Sequence, residues 1–199
     1  MRIAVEGNIG AGKSTVLAAL AQLGVPVVPE PVEQWGALLD AFYASPSDFG
    51  LAFSLKVLAG FDDAHRHETC IVERCPLSCR HVFTQMLFND GNLTQEEWDL
   101  FKDYADTLGW APDVIVYIDT PAHVCLDRVK FRARPCEAQV DLLYMRRLEF
   151  QYDTLLRYCN VPVVRLDGQL PPDELAEAAV ANVRHLLGRV SVAAGVKVV

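Results

Sequence analysis

Eight residues near the start, Gly7-Asn8-Ile9-Gly10-Ala11-Gly12-Lys13-Ser14, carry the spacing G-x-x-x-x-G-K-[ST]. That pattern turns backbone N–H groups inward around phosphate, and a helix N-terminus behind it adds a positive dipole end. Lys13 is the natural partner of the β- and γ-phosphates, Ser14 of a Mg²⁺ ion, and Thr15 closes the loop. A chance match in a chain this long has a probability of roughly one per cent at average residue usage. Three further charged groups stand where chemistry is expected. Glu30, between Pro29 and Pro31, is a candidate general base toward an attacking hydroxyl. Glu73-Arg74 follows the apolar pair Ile71-Val72, and an unpaired charge directly after a buried strand is too costly to be filler. Glu73 is a candidate for Mg²⁺, and Arg74 for orienting Glu30 or the attacking hydroxyl. Arg128, Lys130, Arg132 and Arg134 place four cations in seven residues, as a phosphate-clamping lid requires. Arg128 and Arg132 share one helical stripe while Lys130 and Arg134 lie nearly opposite, so the helix must break for all to serve one ligand, and Pro135 marks a break.

These groups need a scaffold that brings strand ends together. Arg2–Val5 is a short buried strand, and Val25–Pro29, Thr69–Val72, Asp113–Asp119 and Val161–Leu166 are four more apolar runs. Helical material is expected over 14–22, 33–43, 48–67, 77–89, 94–109, 121–133, 140–158 and 172–188. Thr94 to Glu97 forms a capping box, Pro171-Pro172 starts the last helix and Gly188 is placed to stop it. Strands alternating with helices give an α/β fold, a three-layer sandwich around a parallel sheet of about five strands, with the lid over about 128–140. In such sheets ligands bind beyond the carboxyl ends of the strands. The tail from Arg189 is apolar without periodicity, suiting either an edge strand or a loose end.

The chain has 199 residues, is 51% hydrophobic and 22% charged, and carries a net charge of -8. This fits one globular domain and argues against a duplex nucleic-acid partner, which needs a basic face. A small anionic ligand needs only a local positive cluster. No apolar run approaches a bilayer span, and the first strand begins at Arg2, so neither a membrane segment nor a leader is expected and the cytosol is the expected compartment. The six cysteines, Cys70, Cys75, Cys79, Cys125, Cys136 and Cys159, lack zinc-site spacing and read as small buried side chains.

Taken in order and spacing, Gly7–Thr15, Glu30-Pro31-Val32-Glu33-Gln34-Trp35, Glu73-Arg74 and Arg132-Ala133-Arg134 resemble the deoxyribonucleoside kinase family over residues 1 to about 158. The resemblance implies a P-loop kinase fold and transfer of the ATP γ-phosphate to the 5′-hydroxyl of a deoxyribonucleoside, with Mg²⁺ and commonly as a homodimer. It implies that Glu30 is the base, that Arg74 lies near the 5′-hydroxyl and that Glu73 lies near Mg²⁺. Tyr43 and Glu137 would hold the sugar 3′-hydroxyl, Trp35 and Phe83 would wall the base, and Arg128, Arg132 and Arg134 would grip phosphate. At one position the chain departs from the family. Ser54 stands where the family has a glutamine on the base edge, and a hydroxyl cannot supply an amide's paired donor and acceptor. Either Ser54 works through water, or the correspondence is off by a residue or two, or Lys56 or Gln85 takes over. Phe61 and Cys79, uncharged where deoxycytidine-type members carry Arg and Asp, tilt the expectation to thymidine and related pyrimidines.

Three rivals remain. A nucleoside monophosphate kinase would need more cations for the acceptor phosphate than Lys56 and Arg66, with His65 and His67, supply between residues 30 and 70. A catalytically silent structural relative should have lost Lys13, Glu30 or Arg74. A switch GTPase should carry an Asn-Lys-x-Asp motif, which is absent.

Overall fold

The computed structural model describes residues 1–62, 67–134 and 137–193, with side chains to residue 188. Five strands form one sheet in the order β2-β3-β1-β4-β5: β1 Arg2–Gly7, β2 Val27–Val28, β3 Cys70–Glu73, β4 Val114–Asp119 and β5 Val163–Asp167. Every pairing is parallel. Strands buried on both faces read as continuous apolar runs, and β1 and β4 are buried along nearly their whole length. β2 is only two residues long, shorter than the expected Val25–Pro29, because Pro26 and Pro29 lack the N–H that would extend the ladder.

Helices cover the sheet: α1 Lys13–Leu20, α2 Gly36–Ala44, α3 Pro46–Ala59, α4 Pro76–Ser78, α5 Gln85–Asn89, α6 Gln95–Leu108, α7 Ala122–Arg132, α8 Leu142–Tyr158 and α9 Pro172–Ala193. α1 packs on α9, and α7 on α8. The core between them holds Leu20, Ile71, Phe101, Ile115, Met145 and Leu148. The capping box at α6 forms as expected: the Glu97 N–H donates to Thr94 Oγ1 at 3.2 Å and the Thr94 N–H to Glu97 Oε2 at 2.8 Å.

Several expected elements differ. The helix expected over 77–89 is interrupted by a π-helical segment, Cys79–Thr84, between α4 and α5. The helix expected over 33–43 begins at Gly36, after a single 3-10 turn over Val32–Gln34. α3 ends at Ala59, short of the expected 67, and residues 63–66, with His65 and Arg66, lie outside the described residues. α7 ends at Arg132, ahead of Pro135, because Ala133 turns into the left-handed region at φ 50°. Gly188 does not stop α9, which runs on to Ala193: a glycine weakens a helix by about 1 kcal/mol and need not end one. The first five residues of the tail are therefore helical. Residues 194–199, like Pro135 and Cys136, lie outside the described residues.

Candidate active site

β1 is central, and its carboxyl end delivers the phosphate loop. Gly10 sits at φ 79° with no room for a side chain: a Cβ there would lie 2.6 Å from the Cys125 carbonyl oxygen. Gly12, at φ 115°, turns the chain into α1. Asn8 is buried and spent on structure, its Nδ2 donating to the Met145 carbonyl at 3.0 Å and its Oδ1 accepting from the Ile9 N–H at 2.8 Å. The carbonyl of buried Ala11 is held from two sides, by Thr120 Oγ1 at 3.0 Å and Arg128 Nη1 at 3.1 Å. Arg128 Nη2 also donates to the Gly168 carbonyl at 2.8 Å. Arg128 thus braces the loop while it also lines the cleft.

Lys13 is buried, its Nζ donating to the carbonyls of Asn8 at 3.0 Å and Gly7 at 3.3 Å. Burial, aided by the Arg74 charge, pulls its pKa down to about 8. Ser14 and Thr15 are exposed in the first turn of α1 and face the cleft. Ser14 and Glu73 line this same cleft with hard oxygen donors. That suits Mg²⁺, which takes one or two protein oxygens and completes its shell with phosphate and water. No cluster of three or more acidic, His or Cys side chains suited to a metal occurs among the described residues.

The charged groups after β2 and β3 meet. Arg74 Nε donates to Glu30 Oε2 at 3.2 Å, and the Glu30 N–H donates to Glu73 Oε2 at 3.2 Å. Arg74 itself lies in the left-handed region at φ 64°, strain that a non-glycine residue carries only where its surroundings fix it. Its Nη1 donates to the Gly7 carbonyl at 3.1 Å and to the Tyr152 hydroxyl, and its guanidinium covers the Phe83 ring at 4.6 Å. The Tyr152 hydroxyl donates in turn to Glu6 Oε2 at 2.9 Å, and that carboxylate lies 3.8 Å from Arg74. Glu6 and Tyr152, both fully buried, are site residues that the sequence reading missed. The one available signal was a carboxylate inside an otherwise apolar strand next to the phosphate loop. Burial raises the Glu30 pKa above the usual carboxylate range, against the pull of Arg74 and Lys13. A carboxylate so placed is basic enough to accept a proton from a hydroxyl.

Phosphate loop, charged cluster and an aromatic end share one cleft of about 1480 Å³. That exceeds the roughly 300–1,000 Å³ of a single small-molecule site and leaves room for a donor and an acceptor together. At the acceptor end Trp35 meets Phe53 edge-on at 5.3 Å, and Phe53 stacks on Phe42 at 4.6 Å. Phe42 in turn packs against Tyr43 at 5.4 Å. Phe42 and Phe53 extend the wall expected from Trp35 and Phe83. Ser54 and Cys79 are neighbours here, the thiol facing the Ser54 carbonyl at 3.8 Å. Lys56 lines the cleft, whereas Gln85 donates to Asn89 at 2.9 Å and does not. Phe61 reaches the cleft wall and packs edge-on against Trp110. Glu137 is paired through both oxygens with Arg132, one bond at 2.8 Å, and lies 3.8 Å from Arg134.

A parallel sheet with a phosphate loop at its topological switch point, facing a carboxylate held by an arginine, has the layout of a P-loop phosphotransferase. The deoxynucleoside kinase family model matches residues 3–186, and the chain belongs to that family. Among named relatives, a kinase of Invertebrate iridescent virus 3 is 32% identical over 168 residues, covering 81% of this chain and 86% of its own. The thymidine kinase of Ictalurid herpesvirus 1 is 32% identical over 190 residues, covering 88% and 82%. Deoxycytidine kinase 2 of Gallus gallus is 28% identical over 194 residues, covering 78% and 73%. A deoxyadenosine kinase of M. mycoides, solved with dCMP and dCDP bound, shares the fold at a TM-score of 0.82 and 22% identity, covering 93% of this chain and 100% of its own. The protein is an ATP-dependent deoxynucleoside kinase.

Proposed function

We propose that this kinase transfers the ATP γ-phosphate to the 5′-hydroxyl of a deoxyribonucleoside, with thymidine and related pyrimidines preferred. The observation that carries the reading is the Arg74–Glu30 contact at 3.2 Å, in one cleft with Lys13 on one side and the aromatic wall on the other. Glu30 accepts the 5′-hydroxyl proton, and Arg74 fixes the carboxylate's direction. Lys13 and the lid arginines Arg132 and Arg134 stabilise charge on the transferring phosphoryl, while Arg128 keeps the loop in shape. Ser14 and Glu73 would hold Mg²⁺, which would neutralise phosphate charge. Trp35 and Phe83 flank the base, and Tyr43 and Glu137 hold the sugar. The pyrimidine preference is supported by the uncharged Cys79 and Phe61 on the cleft wall.

The whole chain acts as one kinase domain, with the lid over about 128–140. A homodimer is supported by exposed Leu100, Tyr104 and Leu108, a single i, i+4, i+8 stripe on α6. Residence in the cytosol is supported by the thiols of Cys75, Cys79, Cys125 and Cys159, none of which forms a disulfide among the described residues.

The test is ADP release from ATP–Mg²⁺ with thymidine, deoxycytidine, deoxyadenosine, deoxyguanosine and dTMP offered separately. Turnover with thymidine first among the nucleosides is expected. Turnover with dTMP alone would move the protein to the monophosphate kinases, and silence with all five from folded, ATP-binding protein would make it a structural relative.

A further inference from the structure

Three buried side-chain polar atoms among the described residues have no hydrogen-bond partner, and two of them, Thr84 Oγ1 and Trp35 Nε1, belong to residues lining the acceptor end of the cleft. Thr84 is 1% exposed. A buried polar group left unsatisfied costs about 1–3 kcal/mol, so such groups call for a reason.

For Thr84 the reason begins in the backbone. A threonine inside a helix ordinarily turns its hydroxyl back to the carbonyl four residues earlier, here that of Arg80. In the π-helical segment Cys79–Thr84 the Gln85 N–H reaches back five residues to that same Arg80 carbonyl. The hydroxyl of Thr84 makes no bond to it. The Cys79 thiol donates to the Ser54 carbonyl at 3.8 Å, and its sulfur, a weak acceptor, is the one group among the described residues near enough to interact with the Thr84 hydroxyl. π-helical turns are rare and recur at functional sites. The segment begins with Cys79, contains the base-wall residue Phe83 and ends on Thr84, so it sets all three on one side of the acceptor pocket.

We infer that Thr84 Oγ1 hydrogen-bonds the edge of the acceptor's base and is a specificity-determining group of this kinase. The inference rests on the nucleoside reading above. It also accounts for the serine at position 54. With no amide there to supply a donor and an acceptor, the Thr84 hydroxyl provides one of each, and by rotating it can serve a ring carbonyl or an exocyclic amino group. The small Cys79 side chain beside it leaves the base room to approach.

The test compares wild type, Thr84→Val and Thr84→Ser for kcat/KM with thymidine, deoxycytidine, deoxyadenosine and deoxyguanosine, together with the melting temperature of the ligand-free proteins. Thr84→Val keeps the shape and removes the hydroxyl. It is expected to lower kcat/KM for the preferred nucleoside by about 10- to 100-fold, as loss of a specific hydrogen bond to substrate does, and to narrow the spread among the four. Thr84→Ser is expected to stay within about threefold of wild type. Ligand-free Thr84→Val should melt close to wild type, because only a weak contact with the Cys79 sulfur is lost. If Thr84→Val keeps the wild-type rates and ranking, Thr84 does not read the base. If it melts lower and slows all four nucleosides equally, the hydroxyl is structural and the inference fails. A wild-type protein that turns over none of the four overturns the nucleoside reading itself, and the assignment of Thr84 with it.

Discussion

Arg74 reaches Glu30 at 3.2 Å from the end of the neighbouring strand, while its other nitrogen is held by Tyr152 and the Gly7 carbonyl. The arginine is thus fixed from behind, inside the protein, and presents one edge to the carboxylate. A carboxylate whose orientation is set by a rigid neighbour loses little freedom when a ligand arrives.

Glu30→Gln keeps the shape of the side chain and removes its basicity. Turnover is expected to fall by about 10²-fold or more, while the ATP-induced rise in melting temperature persists. Because burial raises the Glu30 pKa, kcat/KM should fall on acidification at a pH above the ordinary carboxylate range, as the base takes up its proton. That acid limb should be missing from the Glu30→Gln profile. A variant with unchanged turnover would remove Glu30 from the chemistry.

Tyr152→Phe removes the hydroxyl that accepts from Arg74 and donates to Glu6. It leaves Glu6 with one bond fewer in a fully buried position. Stability in chemical denaturation should fall by about 1–3 kcal/mol. The kcat should fall with KM for ATP little changed, since Tyr152 acts through Arg74 and touches no phosphate residue. An equal change in both parameters would argue against that route.

Lys13 has a pKa of about 8 in the ligand-free protein, and a bound triphosphate favours its charged form. Below pH 8 the ammonium is present before ATP arrives. Above pH 8 it must be created, so ATP affinity should weaken as pH rises through 8, and binding should take up a proton. Calorimetry in buffers of different ionisation heat checks this directly. Proton release, or none, at pH 8.5 to 9 would contradict it.

Glu137 faces two tasks, since its carboxylate is paired with Arg132 and Arg134 while the family resemblance assigns it to the sugar. Glu137→Ala is expected to raise the nucleoside KM about tenfold, the cost of one good hydrogen bond, and to leave the ATP KM unchanged or lower because the arginines are released. A higher ATP KM with an unchanged nucleoside KM would make Glu137 a lid brace only.

The strand–helix alternation made the fold legible, because parallel strands buried on both faces leave continuous apolar runs and the phosphate loop fixes where the first must end. Residues that act through local spacing were equally legible: the loop, Glu30 between prolines, Glu73-Arg74. Glu6 and Tyr152 were not, since they lie 146 positions apart and meet only once α8 packs beneath β1. The π-helical turn was hidden for another reason. Its residues fit an ordinary helical pattern, and one shifted hydrogen bond leaves no trace in composition. The contacts of Arg128 and Glu137 were not legible because a charge in a sequence does not say which partner it will face.

Glu6 sits on β1 and Arg74 just past β3, two strands that pair in register with Val5 beside Glu73. A chain in which those strands have not yet joined leaves the Glu6 carboxylate without its guanidinium and Arg74 with Glu30 alone. Burial of one alone costs several kcal/mol, so partly assembled forms that bury just one of them are suppressed. The charges that orient Glu30 therefore also act as a checkpoint in assembly. The sheet closes and the machinery is armed in the same event, and molecules with a finished core but a disarmed centre should be scarce.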